Sequence, residues 1–266
     1  MQKQCAILTF ILALAGIACS DGTTGKRIIL RTQVEPAREV HTRFTTLSGW
    51  NVELAEAAMA TGPFYYFDGS PAFVMQQART PWQRLKRVLL PPAHAHPGHY
   101  GEGVAKGQML KEYSLNLIAG PIAFPAGNGV TGLYRSATFS FSSPVDGAAL
   151  TNLKGNTVTA TGVATKGEST VHFRIAVDFA TIGEHARDGL VPGCSFEEAT
   201  VDRAGVVKLT IKPHVWFNLV DFADIAPGSA EAPTEITKGS TAHIAFLLGL
   251  VQLSAYHFSF TADHEP

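Results

Sequence analysis

Apolar and polar positions alternate along much of this chain, in short runs broken by glycine, proline and asparagine. Residues 170–179 are the clearest case. Val171, Phe173, Ile175, Val177 and Phe179 share one face and His172 and Arg174 the other, the two-residue period of a half-buried strand. Residues 50–54 alternate in the same way, and Gly62-Pro63 precedes the aromatic run 64–67. Residues 115–118, 137–142, 157–163 and 206–211 have strand composition between turn signals. The span 243–260 reads as two further strands or one bent strand. Residues 212–222, with Trp216, Phe217 and Phe222, read as a buried strand and corner, or as an aromatic platform for a ligand.

Many short strands with frequent turns predict an all-β fold, an antiparallel β-sandwich or a barrel. One short helix is expected near residues 80–90. Thr80 can cap it and Pro81 suits its first turn. Trp82, Leu85, Val88 and Leu89 form an apolar stripe opposite a solvated Arg84/Lys86/Arg87 face, and Pro91-Pro92 ends it. No repeat of 20–50 residues is present, which excludes solenoids and propellers.

Composition narrows the function classes. The 266 residues carry 22 acids against 21 bases, so no basic field exists to hold a polyphosphate and nucleic-acid binding is not expected. Charged residues are only 16%, against the usual ~25%, while 25 glycines and 15 prolines suit a turn-rich β protein.

The N-terminus reads as an address. Lys3 precedes an apolar run of about 14 residues, the profile of a secretory signal peptide over residues 1–18. The run ends Gly16-Ile17-Ala18-Cys19, which is where a bacterial lipoprotein is cleaved and acylated on cysteine. Gly16 stands where leucine is usual, so ordinary cleavage after Ala18 stays open. Export is expected in either case, and acylation would make the lipid on Cys19 the membrane contact. Residues 19–40 then read as a tether and 41–266 as a single β domain. With Cys5 removed, only Cys19 and Cys194 remain. Acylation of Cys19 leaves Cys194 a small buried thiol, whereas a free Cys19 permits one bridge.

Candidate chemistry concentrates in Pro91-Pro92-Ala93-His94-Ala95-His96-Pro97-Gly98-His99-Tyr100-Gly101-Glu102. In an extended stretch His94 and His96 point the same way, and Pro97-Gly98 favours a turn that swings His99 toward them. Three neutral imidazoles suit zinc or copper, with water, Glu102 or a distant residue completing the set. His172, on the polar face of its strand, is a weaker fourth candidate. Bracing of a surface loop is the competing use of these histidines. No G-x-S-x-G elbow, H-E-x-x-H, phosphate-binding loop or dinucleotide fingerprint occurs, so no catalytic residue is assigned. Turnover at a metal would need a base, for which Glu102 is the local candidate.

In order along the chain stand Phe44-Thr45-Thr46-Leu47-Ser48-Gly49-Trp50-Asn51-Val52-Glu53-Leu54, Ala93-His94-Ala95-His96-Pro97-Gly98-His99-Tyr100, Gly129-Val130-Thr131-Gly132-Leu133-Tyr134 and Trp216-Phe217-Asn218-Leu219-Val220-Asp221-Phe222. With the lipoprotein-like start, this pattern resembles a group of uncharacterised Gram-negative bacterial lipoproteins with an AHPGHY-type loop. The resemblance spans most of the mature chain and implies export, to the periplasm or outer membrane of a Gram-negative bacterium, and a β fold, with no activity attached. The expectation is therefore a lipid-anchored protein that binds Zn or Cu through His94, His96, His99 and Glu102 for capture or handover. The alternative is a non-catalytic envelope module that binds a glycan or protein partner and has no metal role.

Overall fold

The computed structural model describes residues 25–72 and 102–263. The expected signal peptide, Cys19, the helix near 80–90 and His94, His96 and His99 lie outside the described residues.

The described chain opens with β1 (Arg27–Pro36), β2 (Phe44–Thr45), β3 (Asn51–Thr61) and β4 (Phe64–Phe67). After residues 73–101 come β5 (Ala105–Met109), β6 (Tyr113–Asn116), β7 (Ile122–Ala123), β8 (Gly127–Val130) and β9 (Gly132–Ser140). A short helix α1 (Leu150–Leu153) leads to β10 (Val158–Lys166), β11 (Ser169–Val177) and α2 (Phe179–Gly183). The last part holds β12 (Leu190–Val201), β13 (Gly205–Ile211), α3 (Pro213–Phe217), β14 (Thr234–Glu235), α4 (Thr241–Leu250) and β15 (Tyr256–Ala262). Among the described residues no helix is long and apolar enough to cross a membrane.

The all-β expectation holds, in its barrel form with a second sheet beside it. Eight strands close in the order β1-β8-β5-β4-β9-β12-β15-β13, and β13 returns to β1. The barrel is not purely antiparallel, because β1 pairs β13, and β12 pairs β15, in parallel. The tether expected over residues 19–40 is overturned from Arg27 onward. Residues 27–36 form the strand that closes the barrel, with Leu30, Thr32 and Val34 turned inward and Arg27, Ile29 and Arg31 exposed.

Aromatic side chains fill the barrel. Tyr66 meets Tyr134, Phe196 and Phe258 at centroid distances of 6.5, 6.0 and 6.0 Å, and Phe139 stacks on Tyr256 at 3.8 Å. Their hydroxyls are engaged: Tyr66 Oη lies 2.9 Å from Thr32 Oγ1, and Tyr134 Oη lies 2.7 and 2.8 Å from the Lys106 and Val130 carbonyls, which share its one proton. Burial pushes the Tyr134 phenol up to about 12. Leu30 occupies the space left by two glycines. A Cβ on Gly107 or Gly129 would stand 2.9 or 2.5 Å from its Cδ1.

The second sheet runs β14-β11-β10-β3-β2, with β6 along the far half of β3. Its inner face presents Val52, Leu54, Phe173 and Ile175, all buried. Phe173 lies 5.5 Å from Phe217 and 4.9 Å from Phe222, and Phe217 lies 4.8 Å from Phe246 on α4. One continuous hydrophobic cluster joins this layer to the barrel interior.

Two segments expected as strands are helical. Over 241–250 the chain is α4, started by Ser240, whose hydroxyl accepts the His243 N–H at 3.2 Å. Residues 213–217 form α3, with Pro213 in its first turn. A Cβ on Gly249 would stand 2.3 Å from the Trp216 carbonyl oxygen, so the two helices meet backbone to side at that glycine.

Candidate metal centre

The histidine segment is inserted into one hairpin, and the described residues fix the base of that hairpin. β4 and β5 pair antiparallel and end at Phe67 opposite Ala105. Beyond them the two chain ends stay stitched together. Asp68 N–H donates to the Val104 carbonyl at 3.2 Å, and Gly69 N–H donates to the Glu102 carbonyl at 3.1 Å. The Asp68 carboxylate accepts the Val104 N–H at 2.7 Å and bridges to Lys106 Nζ at 3.3 Å. Gly103 permits this closure: its φ is +78°, and a Cβ there would stand 2.4 Å from Asp68 Oδ1. The two chain ends therefore stay together for two residues, Asp68 and Gly69, beyond the last β4–β5 pair.

Glu102 sits at this hairpin base. Thr138 Oγ1, on the neighbouring strand β9, donates to its Oε1 at 3.3 Å. The second carboxylate oxygen has no protein partner among the described residues. A carboxylate held by one hydroxyl and free on its other oxygen is competent to ligate a cation, or to accept a proton from a bound water. Of the four expected metal residues, Glu102 alone falls within the described residues.

Among the described residues no three His, Cys, Asp or Glu side chains converge on a point that could hold a metal ion. His172 stands on the outer face of the second sheet, opposite Val163, and joins no such group. His243 is buried, with neither ring nitrogen hydrogen-bonded. Burial holds its basicity below the usual histidine range, and does the same for His214 and His257. Cys194 is the small buried thiol the sequence suggested. Its Sγ donates to the Val191 carbonyl at 3.2 Å, and burial pushes it up to about 12, far from a reactive thiolate. The aromatic-platform reading of 212–222 is overturned, because Trp216, Phe217 and Phe222 are fully buried between the second sheet and α4.

Sequence reasoning missed the clamp made by Asp68 and Lys106. Its signal was present: Asp68-Gly69 closes an aromatic strand, and Gly103 stands just before the next one. The two ends meet only once β4 and β5 pair.

No protein-family model, curated protein or solved structure matches this chain.

Proposed function

We propose that the protein is exported, anchored by lipid on Cys19, and binds Zn or Cu through His94, His96 and His99 with Glu102, for capture or handover of the ion. The observation that supports this most directly is the position of Glu102. Its half-engaged carboxylate lies at the clamped base of the hairpin, three residues after His99 in the chain. Three imidazoles and a carboxylate form a borderline donor set that suits both metals. A set carried on one segment of chain favours exchange of the ion over permanent burial. The filled barrel supports the same reading, since aromatic rings occupy the interior where a hollow barrel would house a ligand.

The test is isothermal titration of Zn²⁺ and Cu²⁺ into the purified protein and into a His94/His96/His99→Ala variant. Near-stoichiometric, sub-micromolar binding, about −8 kcal/mol or stronger, should be lost in the variant. Imidazoles must be neutral to ligate, so affinity should fall as pH drops through ~6.5. Equal binding by the two proteins, or undiminished affinity at about pH 5, would sink the proposal.

A further inference from the structure

Among the described histidines only His243 has both ring nitrogens buried and without a hydrogen bond, and just 1% of the residue is exposed. It is the third residue of α4, where the Ser240 hydroxyl accepts its backbone N–H at 3.2 Å. Among the described residues three titratable groups act on the ring: Lys238 on the approach to α4, Asp178 at the cap of α2, and His185 just beyond α2. The one acid is already engaged. Asp178 accepts the Thr181 N–H on Oδ1 at 2.7 Å and holds Lys238 Nζ on Oδ2 at 3.1 Å. The Thr181 N–H holds that carboxyl below the usual carboxylate range, so it stays ionised while histidines titrate. The His185 ring faces a carbonyl, with Nδ1 3.3 Å from the Thr181 oxygen.

A neutral imidazole suits this place and an imidazolium does not. The charge would be withdrawn from water, would face the Lys238 ammonium, and would lie in the first turn of a helix, the end whose backbone dipole repels cations. The two ends of α4 are held very differently. At its C-terminal end Gly249 lies against the Trp216 backbone, and Tyr256 Oη donates to the Leu250 carbonyl at 2.7 Å. At its N-terminal end Thr237, Lys238 and Gly239 are exposed, and Gly239 has a φ of +80° with open space where a Cβ would stand. The nearest firm anchor before them is Ile236, buried, whose N–H donates to the Arg174 carbonyl at 2.8 Å. Strain at His243 is therefore relieved most cheaply by swinging out the start of the helix.

We propose that His243 is an acid-sensitive latch: its protonation frees the N-terminal turns of α4 while the barrel stays closed. The opened segment is apolar. Residues 239–262 contain no Asp, Glu, Lys or Arg, and Phe246, now 4.8 Å from Phe217 and 6.2 Å from Trp216, would leave both rings. Linkage fixes the direction and bounds the size. Burial, and then Lys238, lower the basicity of the closed-state ring, so closure is favoured above the free-histidine value of ~6.5 and is lost progressively below it. A freed imidazole is about 10% protonated at pH 7.5 and about 90% at pH 5.5. With no proton taken up by the closed state, the ratio of open to closed molecules rises about tenfold over that interval, which is the upper bound.

Native-state hydrogen exchange of the purified protein at about pH 7.5 and 5.5, corrected for the intrinsic exchange rate, is the test. Protection of residues 244–248 should fall between roughly threefold and tenfold, with β1 and β13 unchanged. His243→Gln and His243→Leu each remove the titrating ring and should hold the protection of α4 level across the two pH values. Two variants are used so that one that fails to fold, as its melting temperature would show, does not decide the matter. A wild-type change smaller than about threefold overturns the proposal. A fall that persists in a folded variant overturns it as well, because the titrating group would then be His185 or another. An equal fall in β1 and β13 would make the event global unfolding, and the latch would be refuted.

Discussion

Substitution of Gly129 by alanine tests whether the barrel is as full as its contacts indicate. The new Cβ would lie 2.5 Å from Leu30 Cδ1 and 2.8 Å from Tyr134 Oη, both inside the barrel. Carbon atoms pack at ~3.5–4.0 Å, so about 1 Å of overlap must be relieved. The φ at Gly129 is not positive, so the cost comes from crowding and not from backbone strain. Overpacking costs ~1–3 kcal/mol, and moving the Tyr134 hydroxyl off its carbonyls adds ~0.5–1.5 kcal/mol. Gly129→Ala should therefore destabilise the protein by about 2–4 kcal/mol. Leu30→Val removes a methylene and should cost ~1 kcal/mol alone. Combined, the two changes should cost at least about 1 kcal/mol less than their sum, because the atom removed is the one struck. Urea denaturation followed by the fluorescence of the buried Trp50 and Trp216 reads all three variants. Additivity within about 0.5 kcal/mol would falsify the claim that Leu30 fills this space.

Two further predictions concern buried polar groups. His243 has no hydrogen bond on either ring nitrogen, so His243→Leu should raise stability by about 1–2 kcal/mol at neutral pH, measured by thermal denaturation. Burial lowers its folded-state basicity, with Lys238 and His185 acting in the same direction and Asp178 against it. The unfolded chain therefore binds more protons below the free-histidine value of ~6.5, and wild-type stability should fall as pH drops from there toward the folded value. The advantage of the variant should widen from about pH 7.5 to 5, and a gap that narrows would contradict this assignment. At the hairpin base, Asp68→Ala should cost about 1–3 kcal/mol by leaving Lys106 and the Val104 N–H without their carboxylate. Asp68→Asn keeps an acceptor and should recover part of that loss, so equal melting temperatures for the two variants would count against the clamp.

Local pattern alone determined several features of this protein. The two-residue period of 171–177 placed Val171, Phe173, Ile175 and Val177 on the buried face of β11, because side-chain direction in a strand alternates whatever the partner. It carried one residue too far: Phe179 begins α2, capped by Asp178, whose side chain accepts the Thr181 N–H. The spacing of His94, His96 and His99 is likewise legible in the sequence alone. Other features had no local signal. α4 is apolar on all sides, so its run could not be told from a buried strand by periodicity, and its place against α3 decided the matter. Closure of the barrel rests on β1 lying parallel to β13, and the tie of Glu102 to Thr138 rests on β4 pairing both β5 and β9. The outward turn of Glu56 depends on a bulge that appears only in register with β10. Each of these joins residues far apart in the chain. Backbone hydrogen bonding between strands selects such pairings, and it acts only on segments that the whole fold has already brought side by side.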